Sequence, residues 1–201
     1  DCLLVLAADT TAVAVYTASM RIVQLSMIPL IGLGTAVLTV AGVAYGARNY
    51  TNLKTAHSYS IKLGFAISIL LGAIMFIFSA QLAAMFSYTE ASAQLSPQIA
   101  HAISVLSIFV LAIPHGMMSS MLFQGVGKGF YSLLITLFRS LILESVFAYI
   151  FCFICGWGVT GIYAGVVFGC FVGGTVGYIW AKIFISRFKK FAKKETIPQE
   201  S

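Results

Sequence analysis

Glu144 is the residue of this sequence whose chemistry is most unusual for its surroundings. It lies in "LLITLFRSLILESVFAYIF" (133–151), where Arg139 is the one other charged residue. Ionisable side chains in such apolar stretches are costly, and they often carry a proton or an ion. Glu144 is therefore a candidate ion-coupling residue, with a structural polar contact as the alternative. Five residues turn an α-helix by about 140° beyond a full turn, so Arg139 is predicted to lie on a different face and to pair with another helix or with carbonyls.

A second group of candidate residues lies in "LAIPHGMMSSMLFQG" (111–125). Pro114 and Gly116 are predicted to break this helix, and broken helices in the middle of a membrane often mark the binding sites of transporters. His115 adds a ring that can titrate, and Met118 adds adaptable apolar surface. Both are candidates for lining a substrate cavity. For His115 the alternative is a hydrogen-bonded residue of the core.

Four residues near the start of the chain form a stripe on one helical face, at positions i, i+4, i+8 and i+11. They are Tyr16, Met20, Gln24 and Met27. Aromatic, thioether and amide groups together suit an amphipathic organic cation, so the stripe is a second candidate for the substrate cavity. A plain interface between helices explains the stripe equally well.

Glycine occupies every fourth position of "GIYAGVVFGCFVGGTVGYIW" (161–180). The row consists of Gly161, Gly165, Gly169, Gly173 and Gly177. Helices in lipid associate by close backbone packing, which small residues permit. The row is predicted to form a groove for another helix, and Gly42 and Gly46 are predicted to repeat the motif. The sequence does not distinguish a static packing groove from a smooth seam along which helices slide.

The elements that carry these residues are membrane helices. The chain is 60% hydrophobic and 9% charged, with a mean hydropathy of +0.97, whereas soluble domains carry about 25% charge. Residues 22–47, 63–89, 91–127 and 145–181 contain no charged side chain, and about 20 apolar residues span a bilayer. The composition predicts an all-α polytopic membrane protein, and no nucleophile–base pair or phosphate-binding loop points to an enzyme.

Breakers and charges divide the chain into five spans. The first is predicted at about 10–46, with a kink at Pro29 and Asp9 as its N-cap, and a polar loop at 46–58 follows it. The second and third spans are predicted at about 59–85 and 98–124. The fourth and fifth follow the "GVGKGF" and "CGWGVTG" turns and end at about 155 and 186. Residues 1–8 are interpreted as the end of a truncated helix.

Basic residues predict the orientation of the spans. Arg48 and Lys54 lie in the first loop, Lys128 lies in the third, and the tail is basic, whereas Glu90 is the one charged residue of the second loop. Basic loops face the cytoplasm. A plasma-membrane location with a cytoplasmic C-terminus is therefore expected. The net charge of +6 favours attraction to anionic lipid, and nucleic-acid binding is not expected.

Three stretches resemble the MATE family (multidrug and toxic compound extrusion). "TTAVAVYTASMRIVQLSMIPLIGLGTAVLTVAGVAYGARN" (10–49) resembles the family's eighth helix, "FQGVGK" (123–128) the turn after the tenth, and "LFRSLILE" (137–144) the eleventh. The resemblance implies that residues 1–190 form the second six-helix bundle lobe of a twelve-helix transporter, from a truncated helix seven through helix twelve. Residues 191–201 then form a basic, polar cytoplasmic tail.

The resemblance also implies a function. Such proteins exchange H⁺ or Na⁺ for organic cations by rocking two lobes, without an organic cofactor or a resident metal. Some members carry a sodium-binding acid on the tenth helix, where this chain has Ile113. The acid of the first helix belongs to a missing N-terminal lobe, and Asp1 is its weak pseudo-symmetric counterpart, so Asp1 and Glu144 are the ion-coupling candidates. The alternatives are a flippase for lipid-linked saccharides, whose cavity would carry several Arg or Lys besides Arg139, and a membrane subunit that does not transport.

Overall fold

The structure, a computed structural model, describes residues 10–85, 96–154, 156 and 158–195, which are helical except for short links. The eight α-helices of these ranges are α1 (Thr10–Ser26), α2 (Ile28–Gly46), α3 (Tyr50–Ile77), α4 (Ser79–Met85), α5 (Ser96–Gly125), α6 (Gly129–Leu137), α7 (Glu144–Tyr149) and α8 (Gly158–Glu195). Two π-helical segments, Phe138–Leu143 and Ile150–Ile154, flank α7. The predicted all-α class is confirmed.

Five stretches of the described residues are long and apolar enough to cross a membrane. They are Ile28–Gly46, Tyr50–Ile77, Ser96–Gly125, Gly129–Ile154 and Thr160–Lys189. The five spans predicted from breakers and charges are therefore confirmed in number. Residues 1–8 and the predicted N-cap Asp9 lie outside the described residues.

Two predictions for the first part of the chain, the kink at Pro29 and the polar loop at 46–58, have different outcomes. The helix is interrupted at Met27, two residues before Pro29, because a proline has no N–H to donate to the preceding turn. The polar loop predicted at 46–58 is wrong, since α3 already begins at Tyr50. The side chain of Asn49 accepts a hydrogen bond of 3.0 Å from the backbone N–H of Asn52, and this N-cap starts the helix early.

The break predicted at Pro114 is also wrong, because α5 continues through it without interruption. Pro114 is buried against α3 at Gly64, where an added Cβ would lie 3.0 Å from the proline ring. A Cβ on Gly116 would lie 2.8 Å from Gly174 Cα on α8. The packing of neighbouring helices stabilises the proline-containing helix, and the small residues here allow close approach of helices.

Helices α5 and α8 form the centre of the bundle. Helix α5 contacts α1, α2, α3, α4, α6 and α8. Of its apolar membrane-spanning stretch 61% is buried inside the bundle, compared with 50% for α8 and 11% for Gly129–Ile154. The outer faces of the other spans expose large apolar side chains such as Val43, Ile77 and Phe130. Apolar outer faces of this kind suit a lipid environment.

The glycine row of α8 lies directly against the span formed by α6, α7 and the two π-helical segments. We call this contact the glycine seam. A Cβ on Gly161 would lie 2.6 Å from the Phe151 carbonyl oxygen, and one on Gly177 would lie 2.9 Å from a methyl group of Ile135. On α2, Gly42 approaches the carbonyl of Gly125 in a similar way, but Gly46 has nothing within 4 Å. The prediction that Gly46 repeats the motif is therefore wrong.

Candidate ion and substrate site

A π-turn brings Arg139 and Glu144 to the same face of the fourth span. The backbone N–H of Glu144 bonds to the carbonyl of Arg139, five residues earlier. In a π-helix, residues five apart are one turn apart and lie on one side. The prediction that the two residues lie on different faces assumed regular α-helical geometry, and it is wrong.

The glycine seam fixes where this pair meets α8. A Cβ on Gly169 would lie 2.6 Å from Glu144 Cα and 2.7 Å from its N. One turn further along, a Cβ on Gly173 would lie 2.6 Å from Arg139 Cγ and 3.0 Å from its Cα. Both contacts include backbone atoms, so α8 approaches the pair more closely than any helix with side chains at these positions could.

The side chain of Arg139 extends between α5 and α8. Its Nη1 lies 3.6 Å from Cys170 Sγ, to which it donates a long hydrogen bond, and 3.8 Å from where a Cβ on Gly116 would stand. Cys170 is completely buried, and its thiol in turn lies 3.8 Å from the carbonyl of Ala112. Arg139 therefore does contact two other helices. It donates to the Cys170 thiol on α8, and it lies near Gly116 on α5, where the absence of a side chain leaves space.

Glu144 interacts with one of two stacked tyrosine rings. It interacts electrostatically with Tyr16 of α1 and with Arg139. The Tyr16 and Tyr163 rings stack with centroids 5.7 Å apart and planes inclined by 9°. A carboxylate beside aromatic faces is an arrangement that attracts cations. Sequence reasoning missed Tyr163, although a tyrosine two residues after Gly161 in a charge-free span was a visible signal.

The rest of the stripe on α1 is divided between the core and the surface. Met20 and Met27 are partly buried against the core that contains α5, whereas Gln24 is exposed. Arg21, which sequence reasoning left out of the candidates, is exposed on the same helix. The stripe thus serves in part as an interface between helices, and Gln24 is the member of the stripe that remains exposed.

His115 joins α5 to α8. Its Nε2 lies 3.2 Å from the carbonyl oxygen of Phe171 and 3.4 Å from Thr175 Oγ1, and its ring stacks on Phe65 with centroids 5.8 Å apart. Because a carbonyl can only accept, Nε2 carries the hydrogen. A Cβ on Gly174 would lie 2.6 Å from this nitrogen, so the glycine makes room for the ring.

A second buried histidine continues the polar contacts toward α3. Ser119 Oγ donates a 2.6 Å hydrogen bond to the carbonyl of His115 and lies 3.2 Å from His57 Nε2. Since the hydroxyl proton is already used, His57 is the donor in the second bond. The His57 ring stacks on Tyr178 at 5.7 Å. Sequence reasoning missed His57 because it placed residues 46–58 in a loop.

Neither the candidate Met118 nor Ile113, which stands where some family members carry an acid, presents a polar group to a ligand. Met118 is completely buried in the core between α2, α3 and α8, so it presents no surface to a cavity. Ile113 is also buried, with 1% of its surface exposed, and an aliphatic side chain cannot bind a cation. Asp1 lies outside the described residues. Glu144 is the one acidic residue whose side chain the structure describes.

Comparison with known proteins identifies the family. The MatE family model matches residues 1–150 of the chain. The chain is similar to the inward-facing conformation of a multidrug resistance MATE family transporter of the MOP superfamily, with 39% identity over 89% of this chain and 40% of that chain and a TM-score of 0.85. For an outward-facing conformation described in the same words, identity is also 39%, over 94% and 42%, with a TM-score of 0.90.

A third solved structure adds a contrast in function. It is a MOP superfamily transporter from Pyrococcus furiosus Vc1 (DSM3638), described as having a binding pocket of reverse polarity that suggests a different function. The identity is 37% over 94% of this chain and 42% of that chain, with a TM-score of 0.90. No curated protein matches this chain significantly. The chain spans about 40% of the length of these solved transporters, and it belongs to the MATE family of membrane transporters.

Proposed function

We propose that the protein containing this chain is an antiporter that exports organic cations in exchange for H⁺ or Na⁺, and that Glu144 is the coupling residue of this lobe. The support is family membership together with one observation. The observation is an acidic residue within a membrane span, whose backbone packs on Gly169 and which interacts electrostatically with both Tyr16 and Arg139. Ionisable groups at such depth are functional by default.

The arrangement around Glu144 explains how an ion could bias the two conformations of a transporter. The ionised carboxylate attracts the guanidinium of Arg139 on the same helical face. Binding of a proton or Na⁺ removes most of that attraction and leaves Arg139 to its contacts with α5 and α8. An ion shifts a conformational equilibrium only by its different affinity for the two states. A change in the separation of Arg139 and Glu144 supplies such a difference.

The aromatic pair provides a place for the exported cation. Tyr16, which interacts electrostatically with Glu144, stacks on Tyr163, and Gln24 offers an exposed amide on the same helix as Tyr16. Cation and coupling ion would then compete for the negative charge of Glu144. Competition for one carboxylate makes the two occupations mutually exclusive, which gives exchange when the site opens alternately to the two sides of the membrane.

The test is Glu144→Gln in the full-length transporter, reconstituted in vesicles with an imposed pH or Na⁺ gradient. Glutamine keeps the shape and the hydrogen-bonding ability but cannot titrate. Ion-driven efflux of a fluorescent organic cation should fall to background, while the protein remains folded. Glu195→Gln, which removes an acidic group at the end of α8, is the control and should transport normally. Normal gradient-driven efflux by Glu144→Gln would contradict the coupling role.

A second candidate, export of a lipid-linked saccharide, is favoured by one specific observation. Arg21 is exposed on α1, so Arg139 is not alone among basic residues in the apolar segments. Several basic groups suit an anionic pyrophosphate-linked cargo. Transport of an organic cation and of a lipid-linked saccharide, measured side by side with wild type and Arg21→Gln, distinguishes the two. Loss of saccharide transport in the variant supports the flippase, and transport of neither cargo supports a subunit that does not transport.

A further inference from the structure

Arg139 and Glu144 lie on one face of the fourth span, yet the guanidinium of Arg139 bonds to a different partner. Its Nη1 donates to Cys170 Sγ at 3.6 Å. Glu144 is the one acid whose side chain the structure describes, and within the described residues no ion pair joins it to Arg139. The two charges interact across a longer distance here, so the guanidinium has a bonding position apart from the carboxylate.

Small residues and a thiol form this bonding position, which we call the arginine seat. It consists of Ala112 and Gly116 on α5 and of Cys170 and Gly173 on α8. A Cβ on Gly173 would lie 2.6 Å from Cγ of Arg139, and one on Gly116 would lie 3.8 Å from its Nη1, so side chains at these positions would contact the arginine. The Cys170 thiol directs its hydrogen to the Ala112 carbonyl at 3.8 Å. Its lone pairs therefore remain available to the guanidinium.

The two possible partners of Arg139 differ in strength. Sulfur is a weak hydrogen-bond acceptor, whereas an ionised carboxylate forms a charge-assisted bond about twice as strong as a neutral one. Cys170 is completely buried and interacts electrostatically with both Arg139 and Glu144. Among the residues that the structure describes, Arg139 is the cation that acts on Glu144, and Tyr16 of α1 is a neutral neighbour. An ion bound at Glu144 therefore removes the stronger partner of Arg139 and leaves the arginine seat.

We propose that Arg139 is an internal counter-cation that alternates between Glu144 and the arginine seat, and that Cys170 is the positioning residue that holds it in the seat. This inference rests on the coupling role of Glu144 proposed above. While Arg139 pairs with Glu144, neither a coupling ion nor an organic cation can use the carboxylate. When a cation binds Glu144, the guanidinium moves to the seat and joins the fourth span to α5 and α8. Occupation of one carboxylate is thereby converted into a contact between helices.

The experiment measures the dissociation constant of ethidium, an organic cation, by fluorescence on the full-length transporter in detergent without Na⁺. Cys170→Ala removes the sulfur acceptor, so Arg139 shifts to Glu144 and competes with ethidium. The dissociation constant should rise about two- to five-fold, as expected for the loss of one weak hydrogen bond. Cys170→Ser keeps a donor and an acceptor and should restore the wild-type value. The control Cys152→Ala removes another buried thiol, which makes no contact with Arg139 among the described residues, and should change nothing.

A double-mutant cycle separates positioning of the arginine from plain packing. In Arg139→Gln the seat has no occupant, so adding Cys170→Ala should cause no further change in ethidium affinity. Equal effects of Cys170→Ala in both backgrounds, or a wild-type affinity of Cys170→Ala itself, overturn the proposal. Cys170→Val, which fills the space without an acceptor, replaces Cys170→Ala if the latter does not fold.

Glu144→Gln, measured in parallel, distinguishes this result from the proposed function. If Glu144→Gln weakens ethidium binding while Cys170→Ala binds like wild type, the role of Glu144 stands and the arginine seat alone is overturned. If Glu144→Gln binds ethidium like wild type, the role of Glu144 is contradicted and the seat is overturned with it.

Discussion

Replacing Gly169 by alanine tests whether the glycine seam sets the distance between α8 and the fourth span. The added Cβ would lie 2.6 Å from Glu144 Cα, 2.7 Å from its N and 2.9 Å from the carbonyl carbon of Leu143. Ordinary contacts of a Cβ begin at 3.4 Å. The two helices would have to separate by about 0.8 Å, the difference between 3.4 and 2.6 Å, because backbone atoms cannot rotate away as side chains do.

The expected loss follows from this overlap. Overpacking a well-packed interior by one methyl group costs about 1–3 kcal/mol. In water, alanine would recover about 0.8–1 kcal/mol through its higher helix propensity. In a membrane the helices are formed before they associate, so that gain largely cancels. Gly169→Ala should therefore lower the free energy of unfolding by about 1–3 kcal/mol.

The assay is equilibrium unfolding of the full-length transporter in mixed detergent micelles. Gly32→Ala is the matched control, because Gly32 is also inside a helix but a Cβ there would meet nothing within 4 Å. Its change in unfolding free energy should stay within about 0.5 kcal/mol. If Gly169→Ala were as stable as Gly32→Ala, the seam would not be a close contact and the reasoning would fail.

Two further predictions concern the histidine contacts and the orientation. Ser119→Ala leaves the buried Nε2 of His57 without its partner and should lower the unfolding free energy by about 1–3 kcal/mol, whereas Ser58→Ala at an exposed position of α3 should not. Equal effects of the two serine variants would show that the hydrogen bond between Ser119 and His57 does not stabilise the protein. A cysteine introduced by Lys128→Cys should react with a membrane-impermeant maleimide only from the cytoplasmic side, and labelling of intact cells from outside would reverse the predicted orientation.

Much of the fold could be predicted because its signals are local. Charge-free intervals together with the turn residues between them give the number of spans, since the cost of burying charge in lipid applies to each residue separately. The glycine row likewise shows in one helix that another helix must approach closely. Asn49 was a local signal too, but the polar residues after it favoured a loop, and His57 was missed with them.

The features that were predicted wrongly depend on neighbouring helices. Pro114 is tolerated because Gly64 on α3 leaves space for its ring. The sequence of residues 96–125 alone does not indicate this contact. Likewise, Met118 could be read as cavity-lining or core, and its burial is decided by α2, α3 and α8. Sequence periodicity describes one helix, whereas contacts between helices decide whether a proline interrupts its helix and whether a methionine is buried.

The π-turn shows the same dependence in the residues that matter most. The glycine row advances four residues at a time, and the fourth span runs past it in the opposite direction. Gly177 meets Ile135, Gly173 meets Arg139, Gly169 meets Glu144 and Gly165 meets Ala148. The facing residues therefore advance by four, five and four. The step of five coincides with Phe138–Leu143, where the helix is π-helical.

An α-helix could not keep this register. With 3.6 residues per turn, a residue five positions after Arg139 would be rotated about 140° away from the seam, and Glu144 would turn from Gly169 toward the outside of the bundle. The π-turn absorbs the extra residue and returns Glu144 to the face of Arg139. The seam and the charged pair are thus one structural feature, because Gly173 and Gly169 contact Arg139 and Glu144, which lie one π-turn apart on the same face.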